Sequence, residues 1–181
     1  MRLCANIDAK QAAQSNSSWA FALILASLLQ SCSLAAAPMN ADALDFELFS
    51  IQNGQSVRLK ALPPQITLVN FWRADCPPCV KELPLLIAMS ERLNIRLVTI
   101  SVQTLSETKS HWHQVPGNRE THIALLAPSN PSGILRRFGN QSGAIPHSVL
   151  LNTKNQMCGK RTGEIDESWM EASLLQCQTT F

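Results

Sequence analysis

The chain has 181 residues, enough for one domain with a sizeable core. Hydrophobic residues at 45% and charged residues at 15% exclude a disordered chain. The formal net charge of +2 comes from scattered lysines and arginines with no basic stripe or acidic tail, so nucleic acid is not an expected partner.

The first element in chain order lies outside the expected fold. Trp19 to Leu29, "WAFALILASLL", is an apolar stretch of 11 residues without a charge. That is about half the length of a membrane-spanning helix. Arg2 and Lys10 precede it, with Asp8 between them, and small residues follow it. This order reads as a secretory signal, the alternative being a short core helix. "LQSC", Leu29 to Cys32, resembles a bacterial lipobox, which implies cleavage before Cys32 and a lipid on that cysteine. "AAA" at Ala35 to Ala37 offers an ordinary cleavage site, but Pro38 would follow the cut. The expected organisation is a lipoprotein signal peptide over 1–31, a tether over 32–43 and one folded domain over 44–181.

Within that domain, "DFELFSIQNGQSVRL" carries two alternating segments around Asn-Gly, a hairpin signal. "ITLVNFW" is a continuous apolar run, as in a strand covered on both faces. Cys79 to Leu93 has helical spacing, and Ile95 to Val102 reads as a second buried strand. Ser106 to Val115 reads as a helix capped by its serine. "HIALLA" is a weaker strand, and Pro131 to Phe138 a short helix ended by Gly139. "SVLLN" and "MCGKRTGEI" flank a polar turn and predict a second hairpin. A last helix follows, capped by Asp166. Strands alternating with helices, then a closing hairpin and helix, predict an α/β fold around a mixed sheet.

The chemistry concentrates in "CPPC", Cys76 to Cys79, where a strand hands over to a helix. Disulfide exchange needs a thiolate, and a helix N-terminus lowers a thiol's pKa. Cys76 is therefore the candidate attacking thiol, and Cys79, one turn on, the candidate resolving thiol. Pro77 and Pro78 suit a first turn, where a missing N–H costs little. Zinc would need two further ligands. Cys158 and Cys177 lack the spacing of a second pair, and His111 and His113 point to different helix faces, so no metal is expected. Six cysteines are present; with Cys4 and Cys32 in the targeting segment, four remain, and their count leaves three pairings open. His147 reads as a partly exposed strand residue near the site.

The block "NFW…CPPC…ELP", the N-terminal hairpin and the isoleucine–proline before the closing hairpin resemble the TlpA/ResA-like thioredoxins of bacterial periplasms. The resemblance runs from about Asp45 to Cys177. It implies a thioredoxin fold, with helices on both faces of a mixed central sheet and an added N-terminal β-hairpin. It also implies a buried glutamate beneath the resolving cysteine, here Glu82, able to trade a proton with Cys79. Pro84 matches the proline inside that group's first helix. Pro146 becomes a cis-proline facing the CxxC, and Ile145 offers backbone groups that pair with the substrate chain. Asp75 departs from the group, which carries an uncharged residue there; its carboxylate disfavours the Cys76 thiolate unless Arg73 neutralises it. Cys158 and Cys177 fall on the last hairpin and last helix, where a structural disulfide is expected; a second redox pair is the alternative.

The resulting expectation is a thiol–disulfide oxidoreductase, lipid-anchored to a membrane in the periplasm, that reduces protein disulfides and is recharged by an upstream thiol donor. Such exchange passes an electron pair between sulfurs and needs no cofactor. A redox-inactive or metallochaperone-like binding module is the alternative from another class. A peroxiredoxin-like peroxidase is disfavoured because the usual surroundings of its reactive cysteine are missing.

Overall fold

The computed structural model describes residues 44–112 and 122–179. The segments 1–31 and 32–43, with Cys32, lie outside the described residues, as do His113, the end of the helix expected to reach Val115, and the His111 side chain.

The described residues open with a hairpin of β1 (Glu47–Ser50) and β2 (Ser56–Arg58). The strands are joined through 51–55, a longer turn than a bare Asn-Gly connection. Ser50 Oγ accepts the Gln52 N–H, and Gly54 takes φ +70°, which glycine allows without steric cost. Next come β3 (Thr67–Trp72), helix α1 (Pro77–Arg92), β4 (Arg96–Ser101), α2 (Leu105–Trp112) and β5 (Ile123–Leu126). Strands β3, β4 and β5 are parallel. After α3 (Ser132–Arg137), β6 (His147–Leu151) returns antiparallel beside β3 and pairs with β7 (Met157–Thr162). Helix α4 (Glu167–Thr179) closes the fold. The sheet order is β2-β1-β5-β4-β3-β6-β7, so the two hairpins flank the parallel strands and supply both edges.

All six residues of β3 are buried, as an apolar run between two layers requires. Its alternation sorts the core. Leu68 and Trp72 join Leu83 and Leu86 of α1 and Met170 of α4 on one face. Val69 and Phe71 pack with Ile134, Leu135 and Phe138 around α3 on the other. Full burial of each such side chain stabilises by about 1.5–3 kcal/mol before chain entropy is counted. Asn70 shares the face of Leu68 and Trp72, so a polar side chain points toward α1 from the middle of the sheet.

Helix α2 begins earlier than its serine predicts. Thr104 Oγ1 accepts the Glu107 N–H (3.3 Å), and Glu107 Oε2 accepts the Thr104 N–H (2.9 Å). This reciprocal pair caps the helix and leaves Ser106 inside the first turn. The Asp166 cap of α4 forms as its sequence predicts, with Oδ1 accepting the Trp169 N–H.

Gly159 on β7 is required by close packing. A Cβ there would lie 2.7 Å from Ser173 Oγ and 2.8 Å from Ser173 Cβ on α4. Gly159→Ala should therefore destabilise the protein by about 1–3 kcal/mol, read as a lower urea midpoint. An unchanged midpoint would mean that α4 yields freely at this contact.

Candidate active site

Strand β3 ends at Trp72, and the loop 73–75 carries the chain to Cys76, the N-cap of α1. Pro77 and Pro78 occupy the first two helical positions and have no N–H to offer. The first available amide is that of Cys79, and it donates to Cys76 Sγ at 3.3 Å. The sulfur thus sits where a capping oxygen sits in other helices, inside the positive end of the helix dipole. Cys76 and Cys79 are disulfide-bonded, with Cα atoms 5.2 Å apart. Cys76 is half-buried, whereas Cys79 is 0% exposed, so an incoming partner can reach only Cys76. Pro84 stands exposed on α1, and the helix continues through it to Arg92.

Asp75 is exposed and firmly held. Arg73 donates to it twice, Nε to Oδ1 at 2.8 Å and a terminal nitrogen to Oδ2 at 2.7 Å. Those bonds hold the Arg73 guanidinium above its ordinary pKa. Gln103, just after β4, completes the clamp: Nε2 donates to Asp75 Oδ1 (3.2 Å), and Oε1 accepts the Ala74 N–H (2.5 Å). Sequence reasoning missed Gln103, because its partners lie nearly thirty positions away and no local pattern marks it.

One turn along α1 from Cys79, Glu82 is 3% exposed. Asn70 Nδ2 donates to Oε1 at 2.8 Å, and the Ile165 N–H donates to Oε2 at 3.2 Å. Burial pushes the Glu82 carboxyl above the ordinary range; the two donors oppose this, and the nearby Glu164 adds to it. A raised carboxyl binds its proton more tightly when folded, so its contribution to stability is full below the ordinary glutamate value. That contribution is lost as the pH rises through the folded value. Glu82→Gln should flatten this limb of a plot of urea midpoint against pH, and an unchanged slope would assign the limb to other groups.

The Ile145–Pro146 peptide bond is cis. Strand β6 pairs with β3 up to Phe71–His147, so Pro146 lies one step on, opposite the end of β3 that leads into the CPPC loop. Gly163 N–H donates to the Pro146 carbonyl at 2.8 Å, tying this segment to the loop that also serves Glu82. Ile145 is half-buried and packs against both cores. His147 corrects the sequence reading: it is 1% exposed, not partly open. Nε2 meets the Phe138 carbonyl (3.0 Å) and must carry the hydrogen, while Nδ1 meets Thr162 Oγ1 (2.8 Å). Burial lowers its pKa, and these bonds make it a structural pin. Cys158 and Cys177 form a second disulfide, 8% and 1% exposed, between β7 and α4.

The AhpC/TSA family model matches residues 39–158, well over half of the chain. The chain belongs to the AhpC/TSA family. Among solved structures, the pneumococcal exposed lipoprotein thioredoxin of Streptococcus pneumoniae strain TIGR4 superposes with a TM-score of 0.60 at 18% identity, covering 74% of this chain and 99% of that one. A putative thiol:disulfide interchange protein DsbE from Chlorobium tepidum gives 0.59 at 19%, covering 75% and 94%. StoA from Bacillus subtilis gives 0.55 at 20%, covering 74% and 98%. At these identities the likeness shows a shared thioredoxin fold. No curated protein is similar to this chain by sequence. In this AhpC/TSA chain, the fold brings together the half-open Cys76, its buried partner, a buried carboxyl and the Ile145–Pro146 segment.

Proposed function

We propose that this chain is a thiol–disulfide oxidoreductase that reduces protein disulfides in the periplasm, as a TlpA/ResA-like member of its family. The observation that carries the reading is the unequal exposure of a disulfide at a helix N-terminus, with Cys76 half-buried and Cys79 sealed, and a buried carboxyl one turn along the same helix. In the reduced protein the Cys76 thiolate attacks a substrate disulfide, and one substrate sulfur leaves. Cys79 then attacks Cys76 Sγ, the second substrate sulfur leaves, and the enzyme disulfide forms. An upstream thiol donor returns the electron pair. Ile145 offers backbone pairing to the substrate strand beside Pro146.

Two features favour reduction over oxidation. Pro77 and Pro78 remove two of the amides that would otherwise stabilise a Cys76 thiolate. Asp75 adds negative charge before the cysteine, although its pairing with Arg73 cancels much of it. A less stable thiolate makes the disulfide harder to reduce and the couple more reducing. Arg73→Ala should raise the pH at which Cys76 ionises by roughly half a unit. Asp75→Asn alone should lower it by a similar amount, because Arg73 is then unpaired, and the double variant should lie close to the wild-type value, all read from thiolate absorbance. Equal values in all four proteins would remove the clamp from the mechanism.

Anchoring through a lipid on Cys32 fits the "LQSC" sequence, and one structural neighbour is itself described as an exposed lipoprotein thioredoxin. Among the described residues no helix is long and apolar enough to cross a membrane. The deciding experiment is insulin reduction by the purified protein with dithiothreitol as donor. Precipitation faster than with dithiothreitol alone supports the reading. A rate no faster than that background overturns it and favours a binding module.

A further inference from the structure

Asn70 is an amide in the middle of an apolar strand, 0% exposed, where a leucine or valine would pack more cheaply. Its face points to α1, and the register sets it opposite Ser148 of β6. Both of its N–H groups are engaged: Nδ2 donates to Glu82 Oε1 at 2.8 Å and to Ser148 Oγ at 3.0 Å. Its Oδ1, equally buried, has no hydrogen-bond partner among the described residues. An asparagine that merely stitched two strands would use both ends of its amide. This one spends its donors on a carboxylate and a hydroxyl and leaves an acceptor unpaid.

We propose that Asn70, aligned by Ser148, is a positioning residue that keeps the Glu82 carboxylate oriented and ready to accept the proton of Cys79. The proposal rests on the oxidoreductase reading and deepens it. Glu82 lies three residues after Cys79, on the same buried side of α1. For Cys79 to resolve a mixed disulfide, its S–H bond must break. The proton passes to the Glu82 carboxylate, and the Cys79 thiolate attacks Cys76 Sγ. The bond from that sulfur to the substrate breaks, and the departing substrate thiolate takes a proton from water. On re-reduction Cys79 leaves as a thiolate and recovers the proton from Glu82.

A buried carboxyl with no donor stays protonated and cannot accept anything. Here each carboxylate oxygen has one donor, Asn70 on Oε1 and the Ile165 N–H on Oε2. The nearby charge is Glu164, which opposes ionisation and is itself paired with the exposed Lys81. Only proline at 165 would remove the Ile165 amide, and it would also alter the backbone there, whereas Asn70 can be varied in its side chain alone. Ser148 fixes which end of the amide faces Glu82, because its hydroxyl oxygen accepts the second N–H.

The test is the protonation of Glu82, followed by the carboxyl stretch in infrared spectra across pH. The full-length proteins compared are wild type, Asn70→Leu and Ser148→Ala, with Glu82→Gln identifying the band. Asn70→Leu should move the Glu82 titration upward by about one to two pH units, the loss of one hydrogen bond to a charged group. Ser148→Ala should move it upward by less, since the amide stays but is free to turn. The rate of mixed-disulfide resolution should shift along the pH axis by the same amounts. A Glu82 titration unchanged in Ser148→Ala, and in Asn70→Leu where that variant folds, overturns the proposal and leaves Asn70 a strand-stitching residue. If the titration shifts as expected while wild type fails to reduce insulin, the oxidoreductase reading falls and the positioning of Glu82 stands.

Discussion

Cys79→Ala should stop turnover and leave substrates bound covalently to Cys76. Cys76 caps the helix with its sulfur half-exposed, so the first exchange with an incoming disulfide remains open to the variant. In the exchange proposed above, the second step needs a thiol next to that sulfur. Cys79 supplies it from a position with no exposure to solvent, and the only other described cysteines are joined to each other between β7 and α4. Without Cys79 the mixed disulfide waits for an external thiol. Turnover should fall on the order of a hundredfold or more. Adducts should persist on non-reducing gels and collapse on adding reductant, while Cys76→Ser should form none. Equal adducts on both variants would show that Cys76 is not the attacking sulfur. Insulin reduction near the wild-type rate by Cys79→Ala would remove Cys79 from the mechanism.

The second large effect concerns stability. The disulfide between Cys158 and Cys177 spans a sequence separation of 19 and encloses the 163–165 loop and most of α4. Constraining a loop of that size in the unfolded chain stabilises by roughly 3 kcal/mol. Replacing both cysteines with alanine should lower the melting temperature by roughly 10 °C in calorimetry. Because the two sulfurs are almost sealed from solvent, mild dithiothreitol should open Cys76–Cys79 and leave this bridge intact. A melting temperature unmoved by the double substitution would assign the cross-link no stabilising role. Reduction of both disulfides at one rate would bring back the alternative of a second redox pair.

The parts of this fold that were legible in the sequence are those set by local pattern. Strands β3 and β4 announce themselves as apolar runs, α1 by its spacing after the prolines, and α4 by Asp166. Helix α2 carried its own signal in Thr104-Leu-Ser-Glu107, but the serine inside that box drew the reading away from the threonine that caps. What was not legible depends on partners distant in the chain. His147 is buried because Phe138 offers a carbonyl and Thr162 a hydroxyl, one on each side of the ring. Gln103 matters through the Ala74 amide, and Asn70 through a glutamate on the next helix and a serine on the neighbouring strand. A pattern of hydrophobic periods carries none of these pairings, which is why the cysteines were visible from the sequence and their supports were not.

The two hairpins that flank the parallel strands have a colloidal consequence. Every open sheet presents two rows of unpaired amides and carbonyls to which another chain can add. Here one row belongs to β2, only three residues long and ending at Arg58, and the other to β7, whose outer half carries Lys160 and Arg161. The long apolar strands most able to recruit a neighbour are all interior. The fold is thereby poorly shaped to add its sheet to an aggregate of other chains.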